Sequence, residues 1–407
     1  MPLIRPFAAL RPRPEHAAEI AAPPYDVLDS DEARQRAADK PLSFLHVSKA
    51  EIDLPPGTDP HDPAVYQRAR ENFQRLIEQG VLLREAQPCY YVYRLRMGEH
   101  EQTGLVAVGS VAAYDANRIR KHEFTRPDKE DDRVRHILAL RAQTGPVLLA
   151  YRAQADIDRA LAQATEADPL YRVEADGVVH TLWRIDDPTA IDALTRRFDA
   201  LDALYIADGH HRSAAASRVA RQIDGDPEHP SRYFLVVAFP HDQMRILDYN
   251  RVVRDLNGLD ETAFLAAVAE RFAVEPAAAA VRPETPGTFG MYLGGRWYRL
   301  RIRPEHVPGD DPVAALDVSL LQDHLLGPVL GIQDPRKDPR IDFVGGIRGL
   351  AELERRVDRG GMAVAFSLHP TRMEQLMAVA DAGRVMPPKS TWFEPKLADG
   401  LINHLID

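Results

Sequence analysis

The stretch LYIADGHHRSAAAS, Leu204–Ser217, joins an apolar run to a run of small residues through a glycine and four polar residues. The apolar run is typical of a buried strand, and the alanine-rich run favours a closely packed helix. The turn between them carries, in order, Asp208, Gly209, His210, His211 and Arg212. We therefore expect a strand, a tight turn and a helix at the centre of the fold.

The basic side chains of this turn stand at the start of the expected helix, where exposed backbone amides already supply a partial positive charge. A cation there costs roughly 0.3–1 kcal/mol, unless a bound anion completes the site. A phosphate group would accept hydrogen bonds from the amides, from imidazole and from Arg212, while Gly209 lets the backbone approach it. Ser213 is a further candidate for binding the phosphate. The alternative is that Asp208 only caps the helix and the imidazoles lie on the surface.

Asp208 is also the candidate ligand for Mg²⁺, because carboxylate oxygens suit that ion. A metal site made by both His210 and His211 is disfavoured. Adjacent residues on a helix point about 100° apart, unlike the i, i+4 histidine pair of zinc proteases.

Composition narrows the class of protein. Of the 407 residues, 45% are hydrophobic and 28% are charged, as in globular proteins, and the formal net charge of −10 disfavours binding to nucleic acid. No stretch reaches the roughly 18 apolar residues of a membrane span. The one cysteine, Cys89, agrees with a reducing compartment and is expected in the core. We expect a cytoplasmic protein that contacts neither membranes nor nucleic acid.

The order of apolar runs and turns predicts an α+β fold with a mixed-sheet core and a βαβ-like C-terminal part. CYYVYRLRM (89–97) and TGLVAVGSVAAY (103–114) predict a hairpin, and LSFLHV (42–47) predicts a strand. RYFLVVAFP (232–240) and MRILDYNRVV (244–253) are expected to be neighbouring strands. The expected division is 1–260 for the region with the main motifs, 261–310 for an inserted lobe, and 311–407 for the C-terminal region.

The segment GRVMPPKS (383–390) nearly spells the phosphate-binding P-loop, G-x-x-x-x-G-K-S. Pro388 stands where the second glycine belongs and has no N–H to donate to phosphate, so we reject a P-loop. Lys389 and Ser390 remain candidates for binding a phosphate or a substrate carboxylate, and packing of the loop is the alternative.

Residues IADGHHR with the helix of small residues resemble the signature of the ParB/sulfiredoxin-like superfamily, and within it the D-G-H-H-R motif of free-serine kinases. Over nearly the whole chain, the sequence also resembles a bacterial family catalogued as domain of unknown function 1015. The motifs that carry this second resemblance are PPYDVL (23–28), HE-T with a downstream DR (122–133), YIADGHHR (205–212), RIDFVGG (340–346) and MPPKSTWFEPKLADGL (386–401).

The resemblance to free-serine kinases implies a ParB/sulfiredoxin-like part in which the phosphates of a nucleotide bind at D-G-H-H-R. It also implies that Glu123, by its place in RKHEFT (120–125), receives the proton of a substrate hydroxyl, and that Asp208 and His211 complete the catalytic set. The candidates for lining the substrate pocket are Tyr25, Asp26, His122 and Asp342.

The leading hypothesis is a nucleotide-dependent phosphotransferase, a kinase that acts on a small hydroxylated metabolite. The resemblance favours free L-serine as the acceptor, ATP or ADP as the phosphate donor and Mg²⁺ as the cofactor. One alternative is a non-enzymatic nucleotide-binding switch of the ParB-like type. The other is a metal-assisted phosphoesterase that uses Asp208, His210 and His211.

Overall fold

The computed structural model describes residues 2–223 and 226–407, which form two compact units. The main unit comprises the described residues up to Met244 together with Pro395–Asp407, and the inserted unit comprises Arg245–Glu394. The domain boundaries expected from the sequence, at residues 260 and 310, differ from the boundaries of these two units. Strand pairing gives the reason, because residues 249–253 pair with residues 341–345 and 364–368 and so place all three segments in one sheet.

The main unit contains the first twelve strands and nine helices of the described chain. Its strands are β1 (Ile4–Arg5), β2 (Leu10–Pro12), β3 (Leu82–Arg84), β4 (Tyr90–Met97), β5 (His100–Ser110), β6 (Ile119–Arg120), β7 (Ala142–Gln143), β8 (Val147–Tyr151), β9 (Tyr171–Ala175), β10 (Val178–Ile185), β11 (Leu204–Asp208) and β12 (Tyr233–Pro240). Its helices are α1 (Ala17–Ile20), α2 (Ser30–Ala37), α3 (Leu45–Ser48), α4 (Pro63–Glu78), α5 (Val111–Asp115), α6 (Pro127–Leu140), α7 (Ala155–Ala164), α8 (Pro188–Asp199) and α9 (His210–Gln222).

A mixed sheet organises the main unit, in the order β6-β11-β8-β12-β5-β4-β10-β9 with β1 added at β5. The pairs β11–β6 and β12–β8 are parallel, whereas β11–β8, β12–β5 and β4–β5 are antiparallel. The α+β fold with a mixed sheet and the β4–β5 hairpin are thus confirmed. Cys89 is buried directly before β4, as expected.

Two local predictions are wrong. Residues 42–47 form no strand, because Leu45–Ser48 is the helix α3. Phe44, Leu45 and Val47 are all buried, so the apparent alternation of polar and apolar residues does not separate an exposed face from a buried one. Strand β12 pairs with β5 and β8 and is not a neighbour of the strand at 249–253, which belongs to the inserted unit.

Helix α9 is rich in small residues and packs on two sides. Ala216 and Ala220 belong to the core cluster of the mixed sheet. Ala215 and Val219 belong to a second cluster, with Val134 and Ile137 of α6. Small side chains let the helix approach both surfaces closely, and this packing fixes the position of its first turn.

The inserted unit follows β12 and α9 along the chain. Its strands are β13 (Arg245–Leu247), β14 (Tyr249–Val253), β15 (Phe272–Ala277), β16 (Thr288–Leu293), β17 (Arg296–Ile302), β18 (Ile341–Gly345), β19 (Val364–Leu368) and β20 (Trp392–Glu394). Its helices are α10 (Glu261–Ala269), α11 (Asp317–Leu321), α12 (Ala351–Asp358) and α13 (Met373–Asp381). The last strand, β21 (His404–Leu405), lies in the main unit and pairs with β7.

A sheet of order β15-β17-β16-β19-β14-β18 forms the inserted unit, beside the separate pair β13–β20. Strands β18 and β19 flank β14, and each is antiparallel to it. They are therefore parallel to each other and are connected through α12, which confirms the βαβ-like character of the C-terminal part. Among the described residues, no helix combines the length and apolarity that a membrane crossing requires.

Candidate functional site

The turn after β11 depends on one glycine. Gly209 has a φ of +100°, a left-handed conformation that side chains disfavour. A Cβ atom on it would also lie 3.1 Å from Arg212 Nε and 3.3 Å from Val147 Cα. Glycine is therefore required here both for its conformation and for the close approach of the chain. The predicted strand, turn and helix are confirmed, with Asp208 ending β11 and His210 beginning α9.

Asp208 lies between two cations. Its Oδ2 accepts a hydrogen bond from Lys396 Nζ at 3.0 Å, and its Oδ1 lies 3.7 Å from Arg212 Nη2. Burial alone would raise the pKa of the Asp208 carboxyl, but the charges of Lys396 and Arg212 and the lysine hydrogen bond hold its pKa well below its usual range. Asp208 is therefore a carboxylate at neutral pH.

Arg212 is turned into the protein. Its Nη1 donates to the carbonyl oxygen of Pro146 at 2.5 Å, and its Nε is buried without a hydrogen-bond partner. Burial would lower the pKa of Arg212, but the negative charges of Asp26 and Asp208 outweigh it and raise the pKa. The guanidinium thus makes the turn positive while it is anchored to the segment before β8.

The RKHEFT and DGHHR segments meet at His210. Glu123 Oε2 lies 3.8 Å from His210 Nδ1, and the backbone N–H of His122 points at His210 Nε2 at 3.5 Å. The imidazole rings of His122 and His210 are perpendicular, with centroids 4.5 Å apart. Both rings are buried, whereas the Glu123 side chain is 41% exposed. A solvent-facing carboxylate therefore lies beside the start of α9.

The two buried histidines are neutral at pH 7. Burial lowers the pKa of His122 to about 4, and the Ile206 backbone and the Asp208 charge oppose this only in part. Burial and the neighbouring His122 hold the pKa of His210 well below its ordinary value. The start of α9 consequently carries less positive charge than its sequence suggests, and Arg212 is its main cation.

His211 and Ser213 make contacts that organise the turn. His211 Nε2 accepts a hydrogen bond from the backbone N–H of Arg126 at 3.1 Å, and partial burial lowers the pKa of His211. The hydroxyl of Ser213 donates to the backbone oxygens of His210 at 3.0 Å and Gly209 at 3.3 Å. His211 thus links the segment before α6 to α9, and Ser213 directs its hydroxyl at the backbone.

Residues of the PPYDVL segment lie next to this turn. A small cavity of about 30 Å³ is lined by Tyr25, Arg133, Arg212 and Asp399, among others. The Arg133 guanidinium lies 3.8 Å from the centroid of the Tyr25 ring. The exposed carboxylate of Asp26 is near enough to influence the pKa of both His211 and Arg212. The structure thus brings Tyr25 and Asp26 to the site, together with Asp399.

Asp399 is a buried acid with an unusual pKa. Burial raises the pKa of its carboxyl from 3.8 to about 7, with Arg212 and Arg133 opposing the rise and Asp26 adding to it. One of its oxygens, Oδ1, is buried without a hydrogen-bond partner. This carboxyl therefore keeps its proton to a higher pH than an exposed aspartate does.

Asp399 should make the stability of the protein depend on pH. The folded state retains a proton that the unfolded chain releases near its ordinary pKa, so the free energy of unfolding falls as pH rises from about 4 to about 7. Asp399→Asn should remove this part of the decline, as measured by urea unfolding at several pH values in that range. The exposed Asp202→Asn variant is the matched control and should keep the slope of the wild type. An unchanged slope in Asp399→Asn would contradict the assignment.

The remaining candidates belong to the inserted unit. The exposed carboxylate of Asp342 pairs with Arg356 Nη1 at 2.5 Å. The Ser390 hydroxyl donates to the carbonyl oxygen of Pro387 at 2.6 Å, and Lys389 Nζ lies 5.6 Å from the centroid of the Tyr249 ring. Asp342 and Ser390 thus have local partners, and the binding roles expected of these three residues stay predictions.

Sequence reasoning missed two residues of the site, Lys396 and Asp399. Both lie in the MPPKSTWFEPKLADGL motif, in which likeness to a P-loop points only to Lys389 and Ser390. The signal was present in the KLAD segment of the same motif, where two charged residues stand among apolar ones. Their partners are far away in sequence, so the pattern alone does not identify what they contact.

The role of Asp208 as a ligand of Mg²⁺ stays a prediction. Its carboxylate faces Lys396 on one oxygen and Arg212 on the other, and this arrangement does not suit direct coordination of a hard divalent cation. We therefore derive no catalytic step through a magnesium ion held by Asp208.

The fold and the site define a mixed α+β protein with a glycine turn, an acid–lysine pair and a histidine–glutamate cluster at the start of a packed helix. The chain belongs to the family described as "Protein of unknown function (DUF1015)", whose model matches residues 4–319. The RIDFVGG and MPPKSTWFEPKLADGL motifs lie beyond the matched residues. No functionally curated protein matches the sequence.

Several solved structures resemble the chain at low similarity. A free serine kinase variant in complex with AMP is 12% identical, with a TM-score of 0.36, over 71% of this chain and 86% of that chain. A conserved hypothetical protein from Pyrococcus furiosus is 14% identical, with a TM-score of 0.36, over 72% and 93%. SbnI with a C-terminal truncation, from Staphylococcus aureus, is 11% identical, with a TM-score of 0.39, over 72% and 84%.

Proposed function

We propose that the protein is a nucleotide-dependent phosphotransferase that acts on a small hydroxylated metabolite, with L-serine as the first acceptor to test. The observation that carries the proposal is the position of Glu123. Its half-exposed carboxylate lies 3.8 Å from His210, at the first residue of α9. A candidate base and a candidate phosphate-binding helix start therefore lie side by side.

The start of α9 has the features of a phosphate-binding turn. The helix has 13 residues, so its first-turn amides carry a developed partial positive charge. Gly209 brings the backbone around sharply, and Arg212 adds a full positive charge directly behind it. The lysine at position 396 offsets the charge of Asp208, so the carboxylate does not repel an approaching anion.

Glu123 suits the role of general base. A carboxylate that faces solvent can accept a proton from a substrate hydroxyl, and a positioned base typically contributes 10²–10⁴-fold to the rate. The adjacent imidazole of His210 is neutral and does not hold the carboxylate in a strong ion pair. Phosphoryl transfer depends mainly on positioning and charge neutralisation, which the helix start and Arg212 would provide.

Two features favour an amino acid as the acceptor. The exposed carboxylate of Asp26 lies near His211 and Arg212 and would attract an ammonium group. The DGHHR motif itself resembles that of free-serine kinases. L-Serine carries both the ammonium group and the primary hydroxyl that this arrangement requires.

The proposal predicts phosphorylation of a small hydroxylated acceptor by the purified protein. ATP, ADP and pyrophosphate are each incubated, with Mg²⁺ present, with L-serine, L-threonine and D-serine, and products are followed by ³¹P NMR and mass spectrometry. L-Alanine is the matched acceptor without a hydroxyl and should give no product. Nucleotide binding without any phosphorylated product would contradict the proposal and favour a nucleotide-binding switch. Release of inorganic phosphate from simple phosphomonoesters, without transfer, would favour a phosphoesterase.

A further inference from the structure

The residues His122, Glu123 and His210 form a cluster that the phosphotransferase proposal uses only in part. Each offers one ligand atom, and the three atoms all lie within 4.8 Å of one another. We propose that this His-Glu-His cluster binds a divalent transition-metal ion of the zinc type. The proposed site is separate from the Asp208–Lys396 pair.

His122 provides the strongest reason for this assignment. The residue is 2% exposed, and neither of its ring nitrogens makes a hydrogen bond of ordinary geometry, although the Ile206 backbone acts on the ring as a weak acceptor. A buried polar group without a partner costs about 1–3 kcal/mol, so a native protein usually gives such a group a partner. One nitrogen of the ring lies within 4.8 Å of ligand atoms of Glu123 and His210, so a metal ion bound by all three residues would give that nitrogen a partner.

The three ligand atoms, which lie within 4.8 Å of one another, would have to approach one another by up to about 1.4 Å to bind zinc. Zinc–nitrogen and zinc–oxygen bonds of about 2.1 Å in a tetrahedral site place neighbouring ligand atoms about 3.4 Å apart. Glu123 Oε2 is already 3.8 Å from His210 Nδ1. Because the Glu123 side chain is half-exposed, rotation of its carboxylate can close the remaining distance without displacing the core.

Binding through His210 Nδ1 places the ring proton on Nε2. The contact between the His122 backbone N–H and His210 Nε2 is then given up. At 3.5 Å that contact is at the long limit of a hydrogen bond and is weak. The change of tautomer therefore costs little compared with a metal–imidazole bond.

The ligand set determines which ions suit the site. Two imidazoles and one carboxylate are the ligands of catalytic zinc sites, which keep a fourth position open for water or substrate. Imidazole favours zinc, cobalt, nickel and copper over the hard ion Mg²⁺. Since Glu123 is the ligand nearest solvent, the open position would lie on its side of the cluster.

Metal binding would also regulate the proposed activity, and this consequence rests on the proposed function. Glu123 cannot accept a proton from the substrate while its carboxylate is a metal ligand. One equivalent of zinc should therefore inhibit phosphoryl transfer, and a zinc-selective chelator should restore it. Metal binding itself is measured without nucleotide, so it stands or fails separately from the phosphotransferase assay.

The direct test is titration of the chelator-treated full chain with Co²⁺ and with Zn²⁺. We expect one equivalent of Co²⁺ to give the intense visible bands of a tetrahedral site, and Zn²⁺ to displace it. His122→Ala should weaken Zn²⁺ binding by more than about 100-fold. Loss of a residue that only supports a zinc ligand through a hydrogen bond costs up to about 100-fold, and loss of a ligand itself should cost more. His16→Ala is the matched control, because it removes a surface histidine that lies 3.4 Å from a glutamate, Glu19.

A second variant keeps the test decisive if His122→Ala does not fold. Glu123→Ala changes a half-exposed side chain and should preserve the fold while it abolishes the tetrahedral Co²⁺ spectrum. Zn²⁺ should raise the melting temperature of the wild type and of His16→Ala, but not that of Glu123→Ala. Absence of stoichiometric binding to the wild type would overturn the proposal. Binding that neither His122→Ala nor Glu123→Ala weakens would overturn it as well.

Discussion

Replacing Glu123 with glutamine should lower turnover of the phosphotransferase reaction by about 10²–10⁴-fold while nucleotide affinity stays close to that of the wild type. Glutamine has nearly the same shape but does not accept a proton at neutral pH. The carboxylate lies beside the first residue of α9 without belonging to the helix start that would bind phosphate. Steady-state kinetics give the turnover number, and calorimetry with a non-transferable nucleotide analogue gives the affinity.

The matched control for this variant is Glu174→Gln, which changes an exposed glutamate on β9 in the same unit. Both variants are assayed with excess Mg²⁺ and a zinc-selective chelator, so that metal binding at the His-Glu-His cluster does not mask the result. A Glu123→Gln variant with near-normal turnover would remove the general base from the proposed mechanism. Equal loss of nucleotide affinity and turnover would show that Glu123 acts in binding.

The strand, turn and helix around Gly209 could be predicted because their signals are local. The apolar run, the glycine and the small residues stand within 14 positions of one another, between Leu204 and Ser217. The φ of +100° at the turn requires glycine, and the glycine is visible in the sequence. Asp208 and His210 are candidates for the same reason, whereas Glu123 is a candidate only through the resemblance of its motif to free-serine kinases.

The electrostatics of the site could not be predicted in the same way. From the sequence, both His210 and His211 could be cations, but burial against His122 keeps His210 neutral. The partner of Asp208, Lys396, is 188 residues away in sequence. Burial and long-range pairing arise only from tertiary packing, and a single sequence carries no direct signal for either.

The wrong strand assignments have a related cause. In residues 42–47, polar and apolar residues seem to alternate, but packing buries consecutive side chains on both sides of the short helix α3. For residues 232–253, adjacency in sequence suggested adjacency in a sheet. The chain instead leaves the main unit after Met244, and pairing across the sheet joins β12 to strands from earlier in the chain.

Replacing Lys396 with methionine should destabilise the protein and weaken nucleotide binding. The lysine and Asp208 side chains are 22% and 31% exposed, and their contact is 3.0 Å long, so its loss should lower the free energy of unfolding by about 1.5–3 kcal/mol. Nucleotide affinity should fall at least about tenfold, or roughly 1.4 kcal/mol, because the carboxylate of Asp208 would then repel an anion at the start of α9. Urea unfolding and calorimetry measure the two effects, with the exposed Lys40→Met variant as control.

A double-mutant cycle with Asp208→Asn distinguishes two roles of Lys396. If the lysine acts by neutralising Asp208, the double variant has no unpaired charge, and its nucleotide affinity should exceed that of Lys396→Met alone. If the lysine contacts phosphate directly, the double variant should bind as weakly as Lys396→Met. Groups in contact are expected to be coupled. If the double variant lost as much stability as the sum of the losses in the two single variants, the pairing itself would be contradicted. Arg212, which lies 3.7 Å from Asp208, is left unchanged in every variant, so the cycle isolates the coupling between Lys396 and Asp208.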